Sequence, residues 1–132
     1  MTENEVNLKC RGWLISQGYA YKGVLNNGKG DVPVPDGYNQ VRIDHQGIHD
    51  RNHDLIWIEA KGSNAGMSDL LEGFVRVVYG CWHGAGSGLL ATPSAECGRM
   101  LEQRDFLKRL GLSCERKVGI LDAENSEVHW LC

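Results

Sequence analysis

The sequence predicts an α/β fold in which a mixed central sheet is flanked by helices on both faces. Three observations carry that prediction. Apolar residues recur at helical spacing in some stretches and at period two in others. The two kinds of stretch interleave along the chain instead of separating. Finally, 132 residues, of which 42% are hydrophobic and 23% charged, suffice for one sizeable core. No internal repeat and no linker divides the chain, so residues 1–132 are read as a single domain.

Each element has a local reason. Thr2 and Glu5 stand at capping-box spacing, and Val6, Cys10, Trp13, Leu14 and Gln17 then share one face of a helix that Gly18 closes. Residues 19–25, YAYKGVL, read as a short strand, and the NNGKGDVPVPDGYN that follows reads as a long loop of a kind that is often functional. From Gln40 the pattern turns to period two: QVRIDHQGI, an HDRNH turn and DLIWIEAKG form a β-hairpin. After GSNAGM comes a helix from Ser68 to Cys81 with Leu70, Leu71, Phe74, Val77 and Val78 inward, then a glycine-rich turn and the apolar strand GLLAT. Thr92 as cap and Pro93 in the first turn open a further helix, which carries Met100, Leu101, Leu107 and Leu110 on its apolar positions and ends at Gly111. KVGIL, a DAENS turn and EVHWL close the chain. The order is αβββαβα followed by C-terminal strands.

Composition excludes several classes. Fourteen Lys plus Arg against seventeen Asp plus Glu leave a net charge of -3, which is not the charge of a surface that is polycationic throughout, though a local basic patch stays open. The longest aliphatic or aromatic run, Leu55 to Ile58, is far short of the ~20 residues of a membrane span, and the acidic start from Thr2 to Asn7 is unlike a signal peptide. Five cysteines, an odd number without a CxxC pair, suit a reducing compartment. A soluble, cytoplasmic protein without a membrane partner is expected.

The hairpin carries the chemistry. Alternation puts Glu59 and Lys61 on one face, with Ile56, Ile58 and Ala60 on the other. A turn centred between Arg51 and Asn52 sets Ile48 opposite Leu55, Gln46 opposite Trp57 and Asp44 opposite Glu59. Two carboxylates whose Cβ atoms stand about 5 Å apart repel one another unless something positive lies between them. Diagonal ion pairs, Asp44 with Lys61 and Glu59 with Arg42, are one solution. A hard divalent cation is the other: Mg²⁺ takes carboxylates, waters and phosphate oxygens, and Lys61 beside it would hold a phosphate or orient a nucleophile.

Asp44, followed by Glu59-Ala60-Lys61 on the adjoining strand, resembles the PD-(D/E)XK nuclease core of the restriction-endonuclease-like superfamily, which includes archaeal Holliday junction resolvases, restriction enzymes and repair nucleases. The order of elements is similar as well, over roughly residues 4–110. The resemblance implies that Asp44 and Glu59 bind Mg²⁺, with Mn²⁺ able to substitute, that Lys61 assists at the scissile phosphate, and that Glu5 on the first helix adds a metal contact. It implies an endonuclease acting on DNA phosphodiester bonds. Ile43 stands where the family's motif often has proline before the aspartate. Asp54, five residues before Glu59 on the same strand, points to the opposite face and is not the motif aspartate. Arg42 shares the carboxylate face, and Lys22 and Lys29 lie on or near the first long loop; together they are a candidate DNA-tracking rim. A symmetric homodimer is a plausible arrangement for a chain without a separate recognition domain.

Other readings stand beside this one. Glu5 also serves as a capping-box residue with no further purpose. Glu72 and Arg76 form an i,i+4 pair, and the resemblance adds that Glu72 could support Lys61. His45, His49 and His53, with Cys81, are a weaker Zn²⁺ alternative; His45 instead shares an apolar face with Ile43 and Ile58. The alternative to an enzyme is a nuclease-like fold without catalysis, serving as a nucleic-acid-binding or protein-interaction module.

Overall fold

The computed structural model describes residues 1–23, 40–111 and 116–131. Helix α1 (Glu3–Ser16) precedes strands β1 (Tyr19–Gly23), β2 (His45–His49) and β3 (Leu55–Ala60). Helix α2 (Met67–Trp82) leads to β4 (Ser87–Thr92), two short helices α3 (Ser94–Leu101) and α4 (Arg104–Gly111) lead to β5 (Lys117–Asp122), and β6 (Glu127–Trp130) follows. The strands form one six-stranded sheet in sequence order. β3, β4 and β5 run parallel, while β1, β2 and β6 pair antiparallel with their neighbours. The fold is therefore α/β with a mixed open sheet.

Helices cover both faces. On one side α1 buries Val6, Cys10 and Leu14, at helical spacing, against Ile56, Ile58 and Ala60 of β3 and Leu89 and Ala91 of β4. On the other, α2 lays Leu70, Phe74, Val77 and Cys81 over Trp57, Leu90, Val118 and Ile120, joined by Cys97 and Met100 of α3 and Leu107 of α4. Odd positions of β3 thus face α2 and even positions face α1. The start of α1 forms as its capping signal requires, with the Glu5 amide donating to Thr2 Oγ1 at 3.2 Å, and Gly18 leaves the helix at φ 85°, a conformation that glycine enters freely.

The hairpin register is the expected one: His45 pairs Ile58, Gln46 pairs Trp57 and Ile48 pairs Leu55. Its first strand is shorter than its alternating pattern implies and begins at His45, not Gln40. The cause is local. The Ala60 amide, which a continuing ladder would have given to a backbone carbonyl, donates instead to Asp44 Oδ2 at 2.9 Å. Ile43, outside the strand, consequently packs in the cluster under α2, away from His45 and Ile58.

The helix expected from 93 to 111 is two. Glu102 to Asp105 are four consecutive exposed polar residues that offer nothing to hold a straight axis to the sheet, and the chain turns there before Leu107 returns to the core. Pro93 occupies the N-cap position of α3 and not its first turn, and Thr92 stays in β4, fully buried, without capping. Among the described residues no helix is long and apolar enough to cross a membrane.

Candidate functional site

Asp44 and Glu59 meet where β2 gives way to the preceding segment. Asp44 is half-buried and anchored by the Ala60 amide. Glu59 is 5% exposed, is hydrogen-bonded to Asp44, and leaves Oε2 without any partner. Its acidity reflects that setting. Burial first, then the hydrogen bond to Asp44 and the Asp44 charge, push its pKa from 4.5 to about 9, against smaller opposing effects of Arg76 and Lys61. A proton shared between the two acids is what relieves the repulsion expected of the pair. No ion pair joins Asp44 to Lys61 or Glu59 to Arg42 among the described residues.

Lys61 leaves the carboxyl end of β3, its amide fixed to the Ala91 carbonyl at 2.9 Å. Lys61 and Glu59 both lie along α2 at Gly73: a Cβ there would stand 3.1 Å from Lys61 Cε and 3.4 Å from Glu59 Cγ. The glycine lets the helix come down onto both side chains. Beyond Lys61 opens a pocket of about 620 Å³ lined by Glu5, Asp69, residues 62–65 and the start of α1. Its position outside the carboxyl ends of parallel strands is the usual place for ligands in open α/β sheets.

The structure thus brings Asp44, Glu59 and Lys61 to one face of the sheet. Glu5 shares the pocket wall with Lys61 but is exposed and engaged with Thr2 at the helix cap. Among the described residues, no group of three or more His, Cys, Asp or Glu side chains is gathered as for a metal ion, so Asp44 and Glu59 stand as a pair. Arg42 is exposed, and its contribution is a carbonyl that accepts from Arg76 at 3.3 Å. Of Lys22 only the backbone, in register with Gln46, is described. Lys29 lies outside the described residues.

Two residues of this neighbourhood, Asp69 and Gly73, carry no role in the sequence reading, and neither does the charge that Arg76 turns toward Glu59. A signal existed, because their i, i+4, i+7 spacing gives them one stripe of α2. The i,i+4 spacing of Glu72 and Arg76 predicts an ion pair, and it is present at 3.0 Å. Glu72 is therefore Arg76's partner, and no ion pair links it to Lys61 among the described residues.

The histidines do other work. His45 is buried on the α1 side, where Nε2 lies 2.6 Å from Asn7 Oδ1 and Nδ1 lies 3.1 Å from the Tyr21 hydroxyl. Asn7 Oδ1 only accepts, so Nε2 carries the proton and the Tyr21 hydroxyl donates to Nδ1. Both ring nitrogens are occupied. Burial pushes this imidazole below its ordinary 6.5, with the Asp44 charge opposing. By NMR titration His45 is expected to show a midpoint below its ordinary 6.5, and a midpoint at or above that value contradicts the network. His49 accepts the Arg51 amide at 3.1 Å, and Cys81 is a buried thiol facing the Lys117 carbonyl.

No protein-family model matches the chain, and no curated protein or solved structure matches it. The reading of the site rests on its own geometry.

Proposed function

We propose that the chain is a divalent-metal-dependent nuclease of the PD-(D/E)XK, restriction-endonuclease-like kind, hydrolysing DNA phosphodiester bonds with Mg²⁺ or, in its place, Mn²⁺. One observation carries the reading: Asp44, just ahead of β2, and Glu59 on β3 are hydrogen-bonded to each other, with a buried oxygen of Glu59 left without a partner, and Lys61 lies along the same helix face. The order of elements, a leading helix, the acid-bearing hairpin, a helix, a parallel strand and further helices, supports it.

The donor set fits the cation. Carboxylate oxygens are what Mg²⁺ prefers, and Asp44 and Glu59 would hold it. The bound ion supplies charge neutralisation at the phosphoryl group and lowers the pKa of water. The residues do the rest. The Ala60 amide keeps Asp44 oriented. α2, pressed down at Gly73, lies along Glu59 and the Lys61 stem and helps keep Glu59 from bulk water. Lys61, a compact point charge with three donors, meets a non-bridging phosphate oxygen and steadies the attacking water.

The test is a cleavage panel with Mg²⁺ or Mn²⁺ over linear, nicked, flapped and four-way DNA. Lys61→Ala is expected to lower cleavage by roughly 100-fold or more while its melting temperature stays close to that of the unmodified protein, because the stem is half-exposed. Absence of cleavage of any of these substrates by the unmodified protein at high concentration would reject the enzyme in favour of a binding module.

A further inference from the structure

Polar atoms without partners are uncommon in a folded interior. Here several occur, those of Gln46 and Glu59 on the side of the sheet that faces α2. Oε1 and Nε2 of Gln46, Oε2 of Glu59, Oγ1 of Thr92 and Oε1 of Glu96 are all buried without a hydrogen bond. Gln46 is the most demanding case, since the whole residue is buried and neither amide atom is satisfied. A methionine would fill the same space without that penalty, so the amide calls for an explanation.

Register supplies one. Gln46 stands two residues after Asp44 and opposite Trp57, which makes Glu59 its diagonal neighbour across β2 and β3 on the same face. At that separation two long side chains reach one another, directly or through one water. Gln46 leaves two polar atoms and Glu59 one without a hydrogen bond, and three such atoms are enough to fix an ordered water.

We propose that Gln46 is a positioning residue for Glu59. Through a bridging water its Nε2 amide supplies a hydrogen bond to Glu59 Oε2 and fixes which carboxylate orientation meets the cation. The inference rests on the nuclease reading above. It assigns Gln46 the outer-sphere part that partners of metal-binding carboxylates commonly play.

The experiment is calorimetric titration of Mn²⁺ into the metal-free protein, Gln46→Met and Gln46→Asn, with melting of each recorded in EDTA. Gln46→Met is expected to bind Mn²⁺ about 10- to 100-fold more weakly while melting in EDTA no earlier than the unmodified protein, a combination that a merely structural amide does not produce. Gln46→Asn, one methylene too short, is expected to weaken Mn²⁺ binding as well. Mn²⁺ affinity equal to that of the unmodified protein in either folded variant overturns the proposal. Early melting of both variants in EDTA also overturns it, because the amide is then holding the fold. If the unmodified protein binds no Mn²⁺, the nuclease reading itself fails and this inference goes with it.

Discussion

In Glu59→Gln, metal-dependent DNA cleavage is expected to fall by at least about a thousandfold, while stability measured in EDTA holds or rises. The two halves of the prediction have one cause. In the metal-free protein Glu59 is a buried acid hydrogen-bonded to Asp44, with its pKa raised to about 9. Glutamine reproduces that neutral, hydrogen-bonding form and loses only the capacity to ionise and hold a cation. A carboxylate kept for structure alone would show no catalytic deficit on amidation. Retained cleavage in this variant would remove Glu59 from the site.

The same acid sets a pH dependence. Its folded pKa lies above its ordinary 4.5, so folded protein retains a proton that unfolded protein releases. The associated stability is complete below about pH 4.5 and drains by about 1.4 kcal/mol per pH unit until about pH 9. His45 does not confuse the upper part of this range. Its pKa is lowered, so its stability term is fully present above 6.5 and is lost only as pH falls below that value. Urea denaturation in EDTA between about pH 7 and 9 should therefore show declining stability in the unmodified protein and a flatter profile in Glu59→Gln. Parallel profiles would mean that Glu59 is already ionised at neutral pH.

Much of this was legible in the sequence because it depends on period and spacing. Alternation along LIWIEAK assigned Glu59 and Lys61 to one face, and a tight turn at Arg51-Asn52 fixed the register that brings Asp44 to Glu59. Thr2, Glu5 and Gly18 marked the bounds of α1 through chemistry acting within a few residues. What was not legible depends on contacts between distant elements. Nothing in the alternation of QVRID reveals that Asp44 will take the Ala60 amide and end the strand. The i,i+4 pairing of Glu72 with Arg76 is visible from spacing, but the effect of Arg76 on Glu59 depends on how α2 lies over the sheet. The break between α3 and α4 reflects where Leu107 finds the core, which local propensity does not encode.

The close approach of α2 to the sheet leads to the largest loss of stability expected of a single substitution. A methyl group at Gly80 would fall inside the indole ring of Trp57, and one at Gly73 would crowd Leu90 at 2.9 Å as well as Lys61. Trp57 cannot move aside easily. It is fully buried, and its backbone is paired with Gln46 on one side and Gly88 on the other. Gly80→Ala must therefore lift α2 or expel the ring. Alanine's better helix propensity returns about 1 kcal/mol, while overpacking costs about 1–3 kcal/mol and occasionally more. With ring overlap this complete, a net loss of about 2 kcal/mol is expected, or roughly 6–10 °C in melting temperature. Gly12→Ala on the exposed side of α1, where a methyl meets nothing within 4 Å, should move the other way by up to about 1 kcal/mol. Pairing Gly80→Ala with Trp57→Leu tests the cause directly. If the clash is responsible, the double variant loses less than the sum of the two single changes, and strict additivity would show that α2 does not rest on Trp57. Because a lifted α2 also withdraws Gly73 from Lys61 and Glu59, Gly80→Ala should weaken Mn²⁺ binding by the protein that remains folded, tying the packing of the helix to the geometry of the acids beneath it.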